Sequence, residues 1–242
     1  MGRKFELVRN DFVIVGLKRK KLFRIRALRD FGVVKAGELG GYLETEENLS
    51  HAGEAWVFGN VKVFGDAWVY GNARVFDDAR VSGNAKVSGD ARVFENARVS
   101  GNAGVTGNAW VIDDARVSGD ARVFGNARVY GNAYISGNAE VSGDVKVFGD
   151  ARVFGDAWVF GKAVLRGEDE VFDTRQYVSV LGFKYPVTVT YSSIHVGCKD
   201  FTIDELDNVW TEELPIDEAE FDEIKMVCTI VLNKILREIE SE

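Results

Sequence analysis

From Glu54 to Gly167 apolar and polar positions alternate on a six-residue period, Asn/Asp-Ala-x-Val-x-Gly, repeated nineteen times without insertion or deletion. Asn84-Ala85-Lys86-Val87-Ser88-Gly89 is one instance and Asp120-Ala121-Arg122-Val123-Phe124-Gly125 another. Ala and Val lie two apart, so they share one side of a strand while the residues between and after them face the other way. Val is β-branched and suits a strand. Ala is small enough for a tight corner. Gly-Asn or Gly-Asp makes that corner, because Gly accepts positive φ and Asn/Asp tolerate it. Strands this short cannot pack as a flat sheet; they must wind, each coil pairing in parallel with the last. Three hexads per coil gives 18 residues, so nineteen hexads make about 6.3 coils, a prism roughly 30 Å long at ~4.8 Å per coil. No proline precedes Pro186, so no strand amide is lost there.

The pattern changes on both sides. Before the repeat, Phe5 to Val8, Phe12 to Leu17 and Leu22 to Leu28 read as strands, with Asn10-Asp11 and Gly16 to Lys21 as turns. Arg24 and Arg26 alternate with apolar residues, as on a strand with one wet face. After the repeat, Tyr177 to Leu181, Thr188 to Tyr191 and Ser193 to Val196 read as strands. Asp217 to Glu240 reads as a helix, introduced by Pro215 and acidic in its first turns. Phe221, Ile224, Cys228, Val231, Ile235 and Ile239 form its apolar stripe, and Met226, Val227, Ile230 and Leu236 widen it, so burial on more than one side is expected. The expected organisation is mainly β: a β cap over 1–47, a solenoid over 48–167 and a small α+β domain over 168–242.

Charge sharpens this division. The net charge of −8 resolves into +4 for residues 1–53, 0 for 54–167 and −12 for 168–242. Such a dipolar chain suits solubility, head-to-tail contacts or a basic partner for the acidic end. A sequence pI near 5.0 argues against nucleic acid. The basic run Lys18-Arg19-Lys20-Lys21 reads as a solvated turn or, alternatively, an anion site. No apolar run reaches the roughly 20 residues of a membrane span, and Met1 to Asn10 lacks the apolar core of a signal peptide. A cytoplasmic protein is expected, with Cys198 and Cys228 as reduced thiols.

The hexad resembles the repeat of left-handed β-helices, in which an inward aliphatic residue such as Val87 or Val117 is followed four positions later by a small one, here Ala91 or Ala121. The left hand is what this resemblance implies. The segment from Asp30-Phe31-Gly32 through Gly40-Gly41-Tyr42 and on to Asn48-Leu49-Ser50 is similar to the lead-in of YdcK-like hexapeptide-repeat proteins and of repeat proteins associated with phages and prophages. His195-Val196-Gly197-Cys198 with Thr202-Ile203-Asp204-Glu205 resembles a small C-terminal domain attached to such phage proteins.

At a period of 18, each face can be read as a column. The first carries Phe58, Phe76, Phe94, Ile112, Tyr130 and Phe148, flanked by Trp56 and Trp110. Six stacked apolar side chains pointing outward are not expected to stay wet. They pack under a terminal domain of the same chain, form a dimer or trimer interface, or hold a ligand or a foreign protein. The second face carries Ser82, Ser100 and Ser118 beside Arg80, Arg98 and Arg116, either a solvated strip balanced by Asp78 and Asp114 or a site for phosphate, sulfate or an acidic partner. The corner after the first face replaces Gly with Asp77, Glu95 and Asp113, next to Asp78, Asn96 and Asp114. Glu is a poor choice for positive φ. This acidic corner pairs with Arg74, Arg92 and Arg128, docks a basic partner, or holds a divalent cation.

Catalysis finds little support. Hexapeptide acyltransferases use a histidine near a projecting loop, and residues 54–167 contain neither. His51 and His195 lie outside the repeat with no evident acid or nucleophile beside them in sequence. Two histidines cannot supply the three zinc ligands of β-helical carbonic anhydrases. The serine column has no His base to activate it. The expectation is a non-enzymatic, self-associating scaffold that binds a macromolecular partner and needs no cofactor or metal. A coenzyme A-dependent acyltransferase and a small-anion sequestering protein are the alternatives.

Overall fold

The computed structural model describes residues 2–167, 169–171, 177–180, 187–190, 193–196, 199–202, 205 and 218–240. It is a mainly β chain built around a parallel β-solenoid of about seven 18-residue turns. Three cap strands, β1 (Phe5–Val15), β2 (Lys20–Ala27) and β3 (Leu39–Leu43), precede twenty two-residue strands, β4 (Trp56–Val57) to β23 (Glu170–Val171). Among these short strands parallel partners are 18 apart, as in Arg92↔Trp110 and Val93↔Val111. Every inward Ala and Val of the repeat is buried, from Ala55 to Ala163. Each buried valine contributes roughly 1.5–3 kcal/mol, so the column of valines is the spine of the fold.

The solenoid extends past the strict repeat at both ends. β3 pairs in parallel with β5 (Lys62–Val63), Leu49 bridges Val69, and Asn48 donates to the carbonyls of Gly65 and Ala67 at 2.9 and 2.8 Å. At the other end β23 adds a twentieth short strand beyond the nineteen hexads. The cap continues the second face: β1, β2 and β3 lead its sheet, followed by β5 and then every third short strand to β23. Asn10-Asp11, expected as a turn, lies within continuous β1; Val8 pairs with Arg24 and Phe12 with Phe23, so residues 9–11 form a bulge. The chain reverses at Gly16 to Arg19, within the second expected turn; Lys18 and Arg19 of the basic run are exposed there, while Lys20 and Lys21 open β2 and Lys20 pairs with Glu44 at 2.8 Å.

The C-terminal part holds an antiparallel sheet, β24 (Tyr177–Val180), β25 (Val187–Thr190), β26 (Ile194–Val196) and β27 (Lys199–Phe201), and helix α1 (Glu218–Glu240). Ile224, Cys228, Leu232 and Ile235 of α1 pack with Val187, Val189, Ile194, Val196 and Phe201. Met226 and Ile230, expected to add buried surface, are 59% and 61% exposed, so among the described residues α1 buries the Ile224–Ile235 side and not this one. Cys228 is a free buried thiol pushed up to about 12 by burial. Cys198 and the side chains of Phe221, Leu236 and Ile239 lie outside the described residues.

Candidate functional site

The first-face column forms as read. Phe58 and Phe76 stack at 4.6 Å with planes 9° apart, Tyr130 and Phe148 at 4.7 Å and 4°. Phe94 meets Trp110 edge-on at 6.1 Å. These rungs, Ile112 included, remain half-buried. Trp110 and Trp56 part company. Trp56 is buried by the cap, against Phe5 and Phe31, so its burial needs no outside partner. Trp110 is half-buried, with the guanidinium carbons of Arg92 and Arg128 at 5.1 and 4.9 Å from its ring centroid.

Those two arginines were candidates to neutralise the acidic corner. They pack on Trp110 instead, and among the described residues neither they nor Arg74 forms an ion pair with it. The corner does adopt the strained backbone its glycine replacement implies: φ is 59° at Asp77, 60° at Glu95 and 58° at Asp113. Its side chains are used along the stack. The Glu95 amide donates to Asp77 Oδ2 at 3.2 Å, and the Gly131 amide to Asp113 Oδ2 at 2.7 Å. The Glu95 carboxyl is raised, first by its hydrogen bond with Asp113, then by desolvation and by the charges of Asp113, Asp77 and Asp114. Asp78 and Asp114 are exposed. Among the described residues no group of three or more His, Cys, Asp or Glu is disposed to hold a metal ion.

The second face sets Arg80, Arg98 and Arg116 side by side, paired Arg98↔Arg80 and Arg98↔Arg116. All three are exposed. The structure brings Arg98 and Arg116 into a groove of about 920 Å³ that continues past Tyr134 to Phe154 and Glu170.

Three features escaped the sequence reading. Side-chain amides run along the other corners: Asn84 donates to Asn102 at 2.8 Å and Asn102 to Asp120 at 2.7 Å, so an Asp closes the run as acceptor. The signal was present in the alternation of Asn and Asp 18 residues apart. Gly104 is the one glycine at the strand position occupied elsewhere by Arg, Lys, Glu, Val or a ring, and it opens a notch of about 370 Å³ with Tyr70, Lys86 and Phe124 around it. The third is a buried polar cluster that closes the solenoid's C-terminal end. Asp169 accepts from Ser193 Oγ at 2.6 Å and lies 2.6 Å from His195 Nε2. Nothing in sequence spacing signals it, because Asp169 belongs to the last coil and Ser193 and His195 to the sheet.

The cluster contains a Ser, a His and an Asp but is not arranged for nucleophilic attack. Asp169 and Ser193 both face the same ring nitrogen, Nε2, and Arg166 Nε donates to Nδ1 at 3.3 Å. That leaves the ring proton on Nε2, so no basic nitrogen faces the Ser193 hydroxyl. Asp169 and His195 are 3% exposed. His51 is likewise built in: its ring stacks on Phe5 at 4.4 Å and Nδ1 accepts from the Lys4 amide at 3.2 Å.

The family model of the YdcK β-solenoid repeat matches residues 67–83, 115–131 and 121–137. The chain matches a YdcK-like repeat protein. All three matched segments fall inside the solenoid, so the likeness speaks for the coils and not for the cap or the C-terminal sheet. No curated protein matches the chain. No described helix of this YdcK-like chain is long and apolar enough to cross a membrane.

Proposed function

We propose that the YdcK-like solenoid is a non-catalytic scaffold that self-associates through its first face, as a trimer or dimer, and presents its other faces to a macromolecular partner. The observation that carries this is the unbroken apolar column from Phe58 to Phe148. The cap and the C-terminal sheet occupy the ends of the prism, and the column between them stays half-buried. Stacked rings on a rigid β frame lose little conformational entropy on association, which favours them as interface anchors. The phage association suggested by the N-terminal segment makes a host component a reasonable partner, and the acidic C-terminal part, at −12, suits a basic one.

Native mass spectrometry of the intact chain tests the assembly. A dimer or trimer that falls to monomer in Phe76→Ser/Phe94→Ser supports the reading. A wild-type monomer, or a double variant of unchanged mass, overturns it. Thermal stabilisation by coenzyme A would move the reading to the acyltransferase class.

A further inference from the structure

The second face differs from the other two in its floor. In four successive coils the rung after the inward aliphatic residue is serine, Ser82 to Ser136, bounded by Phe64 and Phe154. Beside this floor the exposed guanidinium groups of Arg80, Arg98 and Arg116 stand one coil apart, ~4.8 Å. Two arginines of the solenoid pair with a glutamate in the next coil, Arg122 with Glu140 on the third face and Arg152 with Glu170 farther along this one, each at 3.1 Å. Arg80, Arg98 and Arg116 form no ion pair with a described residue. Three adjacent guanidinium groups outside any ion pair with a described residue leave forked donors open to an outside anion, with Asp114, Asp150 and Glu170 lining the same groove as Arg98 and Arg116.

We propose that this groove binds a linear acidic saccharide lying along the solenoid axis. The arginines meet its carboxylate or sulfate groups, whose planar or forked oxygens suit a guanidinium fork. The serine floor and the carboxylates of Asp114 and Asp150 offer hydroxyl partners of both senses along the same groove. Tyr134 is 38% exposed, and its hydroxyl accepts from Ser118 Oγ at 3.0 Å, which lays the ring across the floor as a platform for a sugar face. An extended acidic peptide fits less well. Its same-side residues recur at roughly 6.6–6.8 Å and lose register with the ~4.8 Å rungs. The proposal rests on the scaffold reading only in needing an intact solenoid; self-association is not required.

Calorimetric titration of the full chain with a heparin-derived octasaccharide, at low and at physiological salt, tests it. Binding is expected, weakened about tenfold or more by Arg98→Ser/Arg116→Ser and less by the matching Lys pair, which keeps the charge but loses the fork. Tyr134→Ala is expected to weaken binding several-fold without altering its salt sensitivity, and Arg74→Ser on the first face to leave it unchanged. Absence of binding, or equal binding by the arginine-to-serine pair, overturns the proposal. So does equal binding of polyglutamate or of inorganic sulfate, which would make the strip a protein-docking or small-ion site. Circular dichroism melting confirms that each variant is folded. Assembly is read separately from native mass, so loss of saccharide binding and loss of self-association are distinguishable.

Discussion

Asp169 Oδ2 lies 2.6 Å from His195 Nε2 and joins the last coil of the solenoid to the C-terminal sheet. The join is reinforced on both sides: Val164 N donates to Thr188 Oγ1 at 2.9 Å, and Arg166 N to Asp169 Oδ2 at 2.8 Å. Burial pulls the Asp169 carboxyl up, and the hydrogen bonds from His195, Ser193 and the Arg166 amide more than reverse this, leaving it below its ordinary 3.8. A carboxyl depressed in the folded state adds stability that is complete above the unfolded value and is lost as pH falls through the folded one. Asp169→Asn is expected to cost about 2–3 kcal/mol at neutral pH. The gap in melting temperature between wild type and variant should close as pH falls below 3.8. A gap that stays constant or widens toward acid would falsify this role for the pair.

How legible such features are in the sequence follows from how local their causes are. The coils are written in every hexad, because Val, Ala and Gly each answer a local demand: an inward strand position, a tight corner, a positive φ. The face columns follow by arithmetic, which is why Phe58 stacks on Phe76 and Arg98 lies between Arg80 and Arg116 as read. Partner choice is not local. Arg92 and Arg128 had both an acidic corner and a tryptophan within reach, and only the three-dimensional register shows that they take Trp110. The Asp169–His195 pair spans two parts of the chain with different periods, so neither pattern contains it. Asn10-Asp11 reads as a turn because Asn-Asp is turn chemistry, whereas the strand continues through residues 9–11 as a bulge.

The N-terminal cap carries a second titrating group. Lys4 has no exposed surface; Nζ donates to the Ala55 carbonyl at 2.8 Å and sits 5.0 Å from the Phe31 ring centroid. Burial, and after it the charge of Arg29, lowers this ammonium from 10.5 to about 8. Between those values the unfolded chain holds the proton and the folded one does not, so stability rises with pH. Lys4→Met removes the titration. The stability difference should therefore move in favour of wild type as pH rises from 8 to 10.5, with no slope below pH 7. Denaturant melts of the two proteins in parallel across that range check this, and parallel curves throughout would count against it.

At the acidic corner the strain and the charge can be separated. Glu95 holds φ at 60° and shares a hydrogen bond with Asp113. Where this corner keeps glycine its closeness varies: a Cβ at Gly59, against Asp77, would stand 3.3 Å from the carbonyl oxygen, whereas one at Gly131 would stand 2.9 Å from the nitrogen of Gly149. Glu95→Gly relieves both the left-handed backbone and the crowded carboxylates, and is expected to raise the melting temperature by a few degrees. Glu95→Gln relieves only the charge and should gain less. A lower melting temperature for the glycine variant would show that the carboxylate is structurally required.

Two glycines in the middle coils make opposite predictions from the same substitution. Gly101 has φ at 70°, and a Cβ there would lie 2.8 Å from the backbone oxygen and 2.9 Å from the nitrogen of Gly119. Neither atom can move without displacing the next coil. Gly101→Ala should destabilise by well over 1 kcal/mol, since a strained φ and a backbone clash add. Gly104 has no such restriction: a Cβ there meets nothing within 4 Å, and its φ is not in the left-handed region. Gly104→Ala should stabilise by roughly 0.4–1 kcal/mol, by limiting the unfolded chain. Chemical denaturation of the two variants beside wild type decides the matter. If Gly104→Ala destabilises instead, the notch it lines is packed more closely than its open surroundings imply, and the absence of a side chain there serves the fold.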